Sequence, residues 1–103
     1  MDIGSKIKIK VNSEHIFRGI RNSRECCPIA LSLKDELKVK EARVNYRFLE
    51  AVGEGAQGFL FFTPDEIKDF IWRFDAGLEV VPVEFEIELA HIYKEREYRN
   101  ETN

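Results

Sequence analysis

Lys6-Ile-Lys-Ile-Lys-Val11 is the stretch from which the fold is read. Its apolar residues recur at every second position, the period of a strand with one buried face and one solvated, lysine-bearing face. Near the other end of the chain, Val83, Phe85, Ile87 and Leu89 alternate with Glu84, Glu86 and Glu88. Set antiparallel, the two segments face three lysines with three glutamates, and each cross-strand pair of opposite charge is worth roughly 0.2–1 kcal/mol. The two ends of the chain are therefore expected to pair.

Between them the pattern supplies further elements. Asn12 and Ser13 are good helix caps, and Ile16, Phe17 and Ile20 follow at helical spacing, predicting a short helix from Ser13 to Ile20 that loosens at Gly19. A polar connection, Arg21 to Glu25, leads to Cys27-Pro28, where proline suits the first turn of a second helix carrying Ile29, Leu33 and Leu37 on one face. Ala42, Val44, Tyr46 and Phe48 alternate with polar residues and read as one amphipathic strand. A glycine-rich connection, Gly53 to Gly58, precedes the wholly apolar strand Phe59-Leu-Phe-Phe62. Thr63-Pro-Asp-Glu66 reads as a capping box opening a helix, with Ile67, Phe70, Ile71 and Phe74 as its buried stripe and Gly77 as its stop.

Strand, split helix, strand, strand, helix, strand is the order of a ferredoxin-like β-α-β-β-α-β sandwich, an α+β fold with a four-stranded, mainly antiparallel sheet. One domain over residues 1–90 is expected, followed by a charged C-terminal tail, 91–103, that is partly helical or frayed. A chain of 103 residues, 44% hydrophobic and 34% charged, can bury a core without disulfides or metal.

Composition also excludes. A net charge of −3 gives no broad cationic footprint, so generic nucleic-acid binding is not expected. The apolar runs are far shorter than the roughly 20 residues of a membrane span, and Met1-Asp2-Ile3-Gly4-Ser5 does not read as a secretory leader. The adjacent Cys26 and Cys27 close no useful loop and read as reduced thiols, so a cytoplasmic protein is expected.

Arg18, Arg21 and Arg24 precede the second helix, with Ser23 and Cys27 beside its first turn. Arginines near free helix N–H groups suit phosphate, although pairing with Glu14 and Glu25 on a solvated surface is their plainer reading. The glycine connection could close over such a ligand; it lacks a P-loop ending, and a hairpin turn is its plainer reading. Cys27 at a helix start could be reactive, or a small buried cap. A zinc site from Cys26, Cys27, His15 and His91 lacks the usual gap between cysteines, and no metal or cofactor is expected. The two histidines have no nucleophile at a persuasive spacing, so no enzymatic activity is expected.

Alternate residues of Phe59–Phe62 must point away from the helices. Aromatic groups there suit base stacking, but glutamates on the neighbouring strand oppose an RNA backbone, and burial against a second subunit fits better. The acidic face formed by Glu84, Glu86 and Glu88 is the candidate protein-interaction surface.

The runs His15-Ile-x-x-Gly19 and Cys27-Pro-Ile-Ala-Leu31, with Pro64 through Phe74-Asp75-Ala76-Gly77 and the closing Pro82-x-x-Phe85 strand, resemble small uncharacterised proteins of bacteriophages and prophages. The resemblance spans about residues 6–90; Cys26, Ser32 and the longer charged tail depart from it. The resemblance brings no assigned activity; it implies a small protein of a bacterial host cytoplasm that acts by binding, stoichiometrically, on a host factor, and the apolar sheet face adds a homo-oligomer. The arginine-flanked helix start would make that action sequestration of an anionic, nucleotide-like defence signal. The alternatives are a protein–protein inhibitor or adaptor, or a minor structural protein of the phage particle.

Overall fold

The computed structural model describes residues 1–94. Its elements are β1 (Lys6–Val11), α1 (Ser13–Arg18), α2 (Pro28–Leu37), β2 (Glu41–Val44), β3 (Phe48–Val52), β4 (Gln57–Phe62), α3 (Asp65–Asp75) and β5 (Val83–Lys94), with one 3-10 turn at Glu54–Ala56.

The lysine and glutamate strands pair as their charges require. β1 runs antiparallel to β5 with Lys6 opposite Glu88, Lys8 opposite Glu86 and Lys10 opposite Glu84. The sheet around that pair is not ferredoxin-like. It has five strands in the order β1-β5-β4-β3-β2, and every neighbouring pair is antiparallel. β1 is an edge strand and β5 is internal, whereas the expected four-stranded plan places the first strand inside the sheet.

Two local features cause the difference. The segment read as one strand through Phe48 reverses direction at Asn45, whose side-chain oxygen accepts from the N–H groups of Arg47 and Phe48, both at 2.8 Å. This turn divides the segment into β2 and β3 and adds a strand. The second feature is the length of β5, whose first half pairs with β1 and second half with β4. Between the halves, Leu60 faces His91 while Phe61 faces Leu89, leaving Ala90 as a bulge. The extra residue changes the inward set from Phe85, Ile87 and Leu89 to Ile92, and bulges increase local bend and twist.

The sheet consequently curls into a half-barrel. Helix α2 packs against β1 and β2, opposite edges of the sheet, and also against β3, so it fills the concave side. Ile29, Ala30 and Leu33 from α2 meet Ile9, Leu49, Phe61 and Leu89 there, all fully buried. Burial of each large side chain contributes about 1.5–3 kcal/mol. Helix α3 closes the β5 side with Ile67, Phe70 and Phe74, and Phe70 meets the Phe85 ring edge-on, at 6.0 Å between centroids.

Three boundaries differ from expectation. Helix α1 ends at Arg18, because Gly19 is already extended. The capping box at Thr63 does not form: α3 starts after Pro64 with no side-chain cap, and the buried Thr63 hydroxyl donates instead to the Asn45 carbonyl, 3.0 Å away. β5 continues four residues past Ala90 to Lys94, and the rest of the charged tail lies outside the described residues. Among the described residues no helix is long and apolar enough to cross a membrane.

Candidate functional site

The turn between α1 and α2 is held from three sides. Ile20 N–H donates to the Cys26 carbonyl and Cys26 N–H to the Ser23 hydroxyl, at 2.8 and 3.0 Å. Asn22, in a left-handed conformation, donates its N–H to the Asp75 carboxylate of α3 at 2.9 Å. The Arg24 carbonyl accepts from Val44 N–H at 3.0 Å, which ties the turn to β2. The result is a cleft of about 290 Å³ where the turn, α3 and the β2–β3 turn meet, lined by Ser23, Arg24, Cys27, Asn45, Tyr46 and Asp75.

The expected anion cradle is thus only partly assembled. Ser23, Arg24 and Cys27 share the cleft, while Arg21 packs its guanidinium over Gly77, and Arg18 pairs with Glu14 at 3.1 Å on the exposed side of α1. The first turn of α2 is spoken for by its own chain. The Cys27 sulfur caps Ala30 N–H at 3.5 Å, and Cys27, Pro28, Ile29 and Ala30 are all buried. Burial raises the Cys27 thiol pKa above its ordinary 9.0, against the smaller lowering from the helix N–H groups. Burial and the bond to Ala30 N–H place Cys27 as a cap and core residue.

The glycine connection forms a hairpin turn between β3 and β4, with Gly53 N–H donating to the Gln57 carbonyl at 2.8 Å. It lies on a different and larger cleft, about 460 Å³, which shares no lining residue with the arginine cleft. Lys38, Lys40 and Arg43 line it together with Glu41 and Glu54. Arg43 reaches Glu50 at 2.8 Å, Glu25 at 3.7 Å and Glu41 at 4.0 Å, so its charge is already engaged. His15 and His91 are far apart in role: the first is a buried cap and the second stacks on Tyr93 at 6.3 Å on the outer face. Among the described residues no three His, Cys, Asp or Glu side chains come together as metal ligands.

The outer face of the sheet is organised differently. Crossing it from β1, the lysines lie beside Glu84, Glu86 and Glu88, with Lys8 and Glu84 3.9 Å apart. Next comes an apolar strip of Leu60 and Phe62 on β4 and Phe48 on β3, the two phenylalanine rings 6.1 Å apart. Phe62 is 52% exposed. Further along the strands, Tyr93 of β5 crosses over Gly58 of β4 and donates its hydroxyl to the Glu50 carboxylate of β3, which also holds Arg43. A depression of about 240 Å³ joins the first two zones, with Lys6, Phe62, Pro64, Glu86 and Glu88 around it. The aromatic part of this surface is legible in the alternation of β4, and the sequence already sets glutamates on a neighbouring strand; the five-stranded order supplies the contact by placing β5 between β1 and β4.

Comparison with protein-family models, curated proteins and solved structures finds no match to this chain.

Proposed function

We propose that this chain is a stoichiometric protein-binding module whose contact surface is the outer face of the sheet. The observation that carries the reading is Phe62, half exposed on a depression whose other walls include Glu86 and Glu88. Exposed aromatic groups rimmed by charge are typical of protein contact surfaces. Carboxylates beside the strip repel a nucleic-acid backbone and favour a protein surface with apolar side chains flanked by basic ones. The resemblance to phage proteins supports a host protein as that partner, and the reading contains no catalytic step.

Its test must respect the ladder beneath it. Reversing Glu84, Glu86 and Glu88 alone would set lysine against lysine and weaken β1–β5. The informative variant exchanges all six charges, lysines to glutamates and glutamates to lysines, and a second variant is Phe62→Ser. Tagged protein in bacterial lysate should retain one protein in fixed ratio, and both variants should lose it with unchanged circular dichroism. Equal retention by all three proteins would exclude this face.

One observation favours a second reading, capture of an anionic small molecule. Among the described residues Arg21 and Arg24 make no ion pair, and Arg24 lines the 290 Å³ cleft. Replacing both by alanine should then abolish retention of the molecule, and unchanged retention would remove this site.

A further inference from the structure

Helix α1 and the segment 77–83 run between the same two places in the fold. Val11, which leads into α1, is opposite Val83, and the guanidinium of Arg21, beyond the helix's other end, lies 3.7 Å from where a Cβ on Gly77 would sit. Four large apolar side chains are exposed along these segments: Phe17 and Ile20 on one side, Leu78 and Val81 on the other. Phe17 is 89% exposed, so it touches almost nothing in its own chain. A groove of about 390 Å³ runs between α3 and segment 77–83, with Phe70, Val80, Val81 and Phe85 in its walls and Glu66, Glu79 and the Asp69–Arg73 ion pair around it. Among the described residues Glu66, Glu79 and Arg21 make no ion pair.

Between them the two segments carry an aromatic protrusion with an unpaired arginine near it, and an apolar recess with two unpaired carboxylates beside the Asp69–Arg73 pair. A two-fold interface uses the same patch on both subunits, so the patch must hold both halves of each contact. We infer that this surface is the interface of a two-fold homodimer, in which Phe17 of each copy enters the groove of the other and Arg21 faces the partner's acidic rim. A second copy supplies the matching shape and the matching charge, and the dimer leaves the outer face of both sheets open.

Sedimentation velocity over a wide concentration range tests it. The full chain should sediment as a dimer. Phe17→Asp, at a position too exposed to matter for folding, should raise the dimer dissociation constant about thirty-fold or more, the loss expected of a central aromatic anchor. Arg21→Glu should weaken the dimer, and adding Glu79→Arg should restore it, while Phe62→Ser should leave it unchanged. A chain that stays monomeric, a dimer indifferent to Phe17→Asp, a failed charge rescue, or loss of the dimer in Phe62→Ser would each overturn the inference.

Discussion

Gly19 shows what the chain's most recognisable residues do. A Cβ there would lie 2.6 Å from the Pro28 ring and 2.9 Å from the His15 carbonyl oxygen, so only glycine lets the two helices turn this closely. His15 completes the corner. Its Nδ1 accepts from Asn12 N–H at 3.1 Å, which puts the ring proton on Nε2, 2.6 Å from Asp35 of α2. The residues of His-Ile-x-x-Gly and Cys-Pro-Ile-Ala-Leu are thus architectural: caps, a close approach and core. Gly19→Ala should cost about 1–3 kcal/mol, the range for overpacking, read as a lower urea midpoint with unchanged slope. An unchanged midpoint would show that the Pro28 ring yields. Cys27 makes a second residue-scale prediction. Its folded pKa lies above 9.0, so the folded state holds the proton longer than the unfolded state. The stability this contributes is full below 9.0 and is lost as pH rises from there through the raised folded value. A thiol reagent at neutral pH should label the half-buried Cys26 first and Cys27 only on unfolding; equal rates would contradict the cap.

At the scale of elements, period-two alternation and helix caps located most of the secondary structure, because burial against one core imposes them. They failed at Asn45. Alternation runs unbroken from Ala42 to Phe48 while the backbone reverses, and only the turn-forming asparagine signals it. Asn45→Ala removes two hydrogen bonds, each worth about 0.5–1.5 kcal/mol net, and should lower thermal stability with exchange rising first in β2 and β3. A melt identical to the parent would make the turn dispensable. Thr63 misled for a related reason, since its hydroxyl serves a turn distant in sequence rather than its own helix. The register of the charge ladder was legible because opposite charges alternate along both strands, although Lys8 reaches diagonally to Glu84, at 3.9 Å, rather than to Glu86 directly opposite. Lys8→Glu and Glu84→Lys should each destabilise, and the double exchange should recover about 0.2–1 kcal/mol, less at high salt. Strict additivity in that cycle would mean the ladder contributes nothing.

For the whole molecule, pairing of the chain's two ends could be read from charge, but the number and order of strands could not. Their number depends on the Asn45 turn and their order on where β5 bends, and the phase slip that marks the bend, from the odd positions through Leu89 to Ile92, runs into the segment read as a charged tail. The same bend brings the acidic strand beside Phe62 and so creates the surface proposed to bind protein. The arginine cleft, in contrast, is tied down by the chain's own hydrogen bonds and opens on a capped helix. The central claim is that the chain acts through surfaces rather than by holding a small molecule. Native mass spectrometry of protein purified gently from bacterial cells tests it most directly. The account predicts a dimer with no added small mass; a fixed extra mass of a few hundred daltons, released on denaturation and lost with Arg21→Ala and Arg24→Ala, would contradict it.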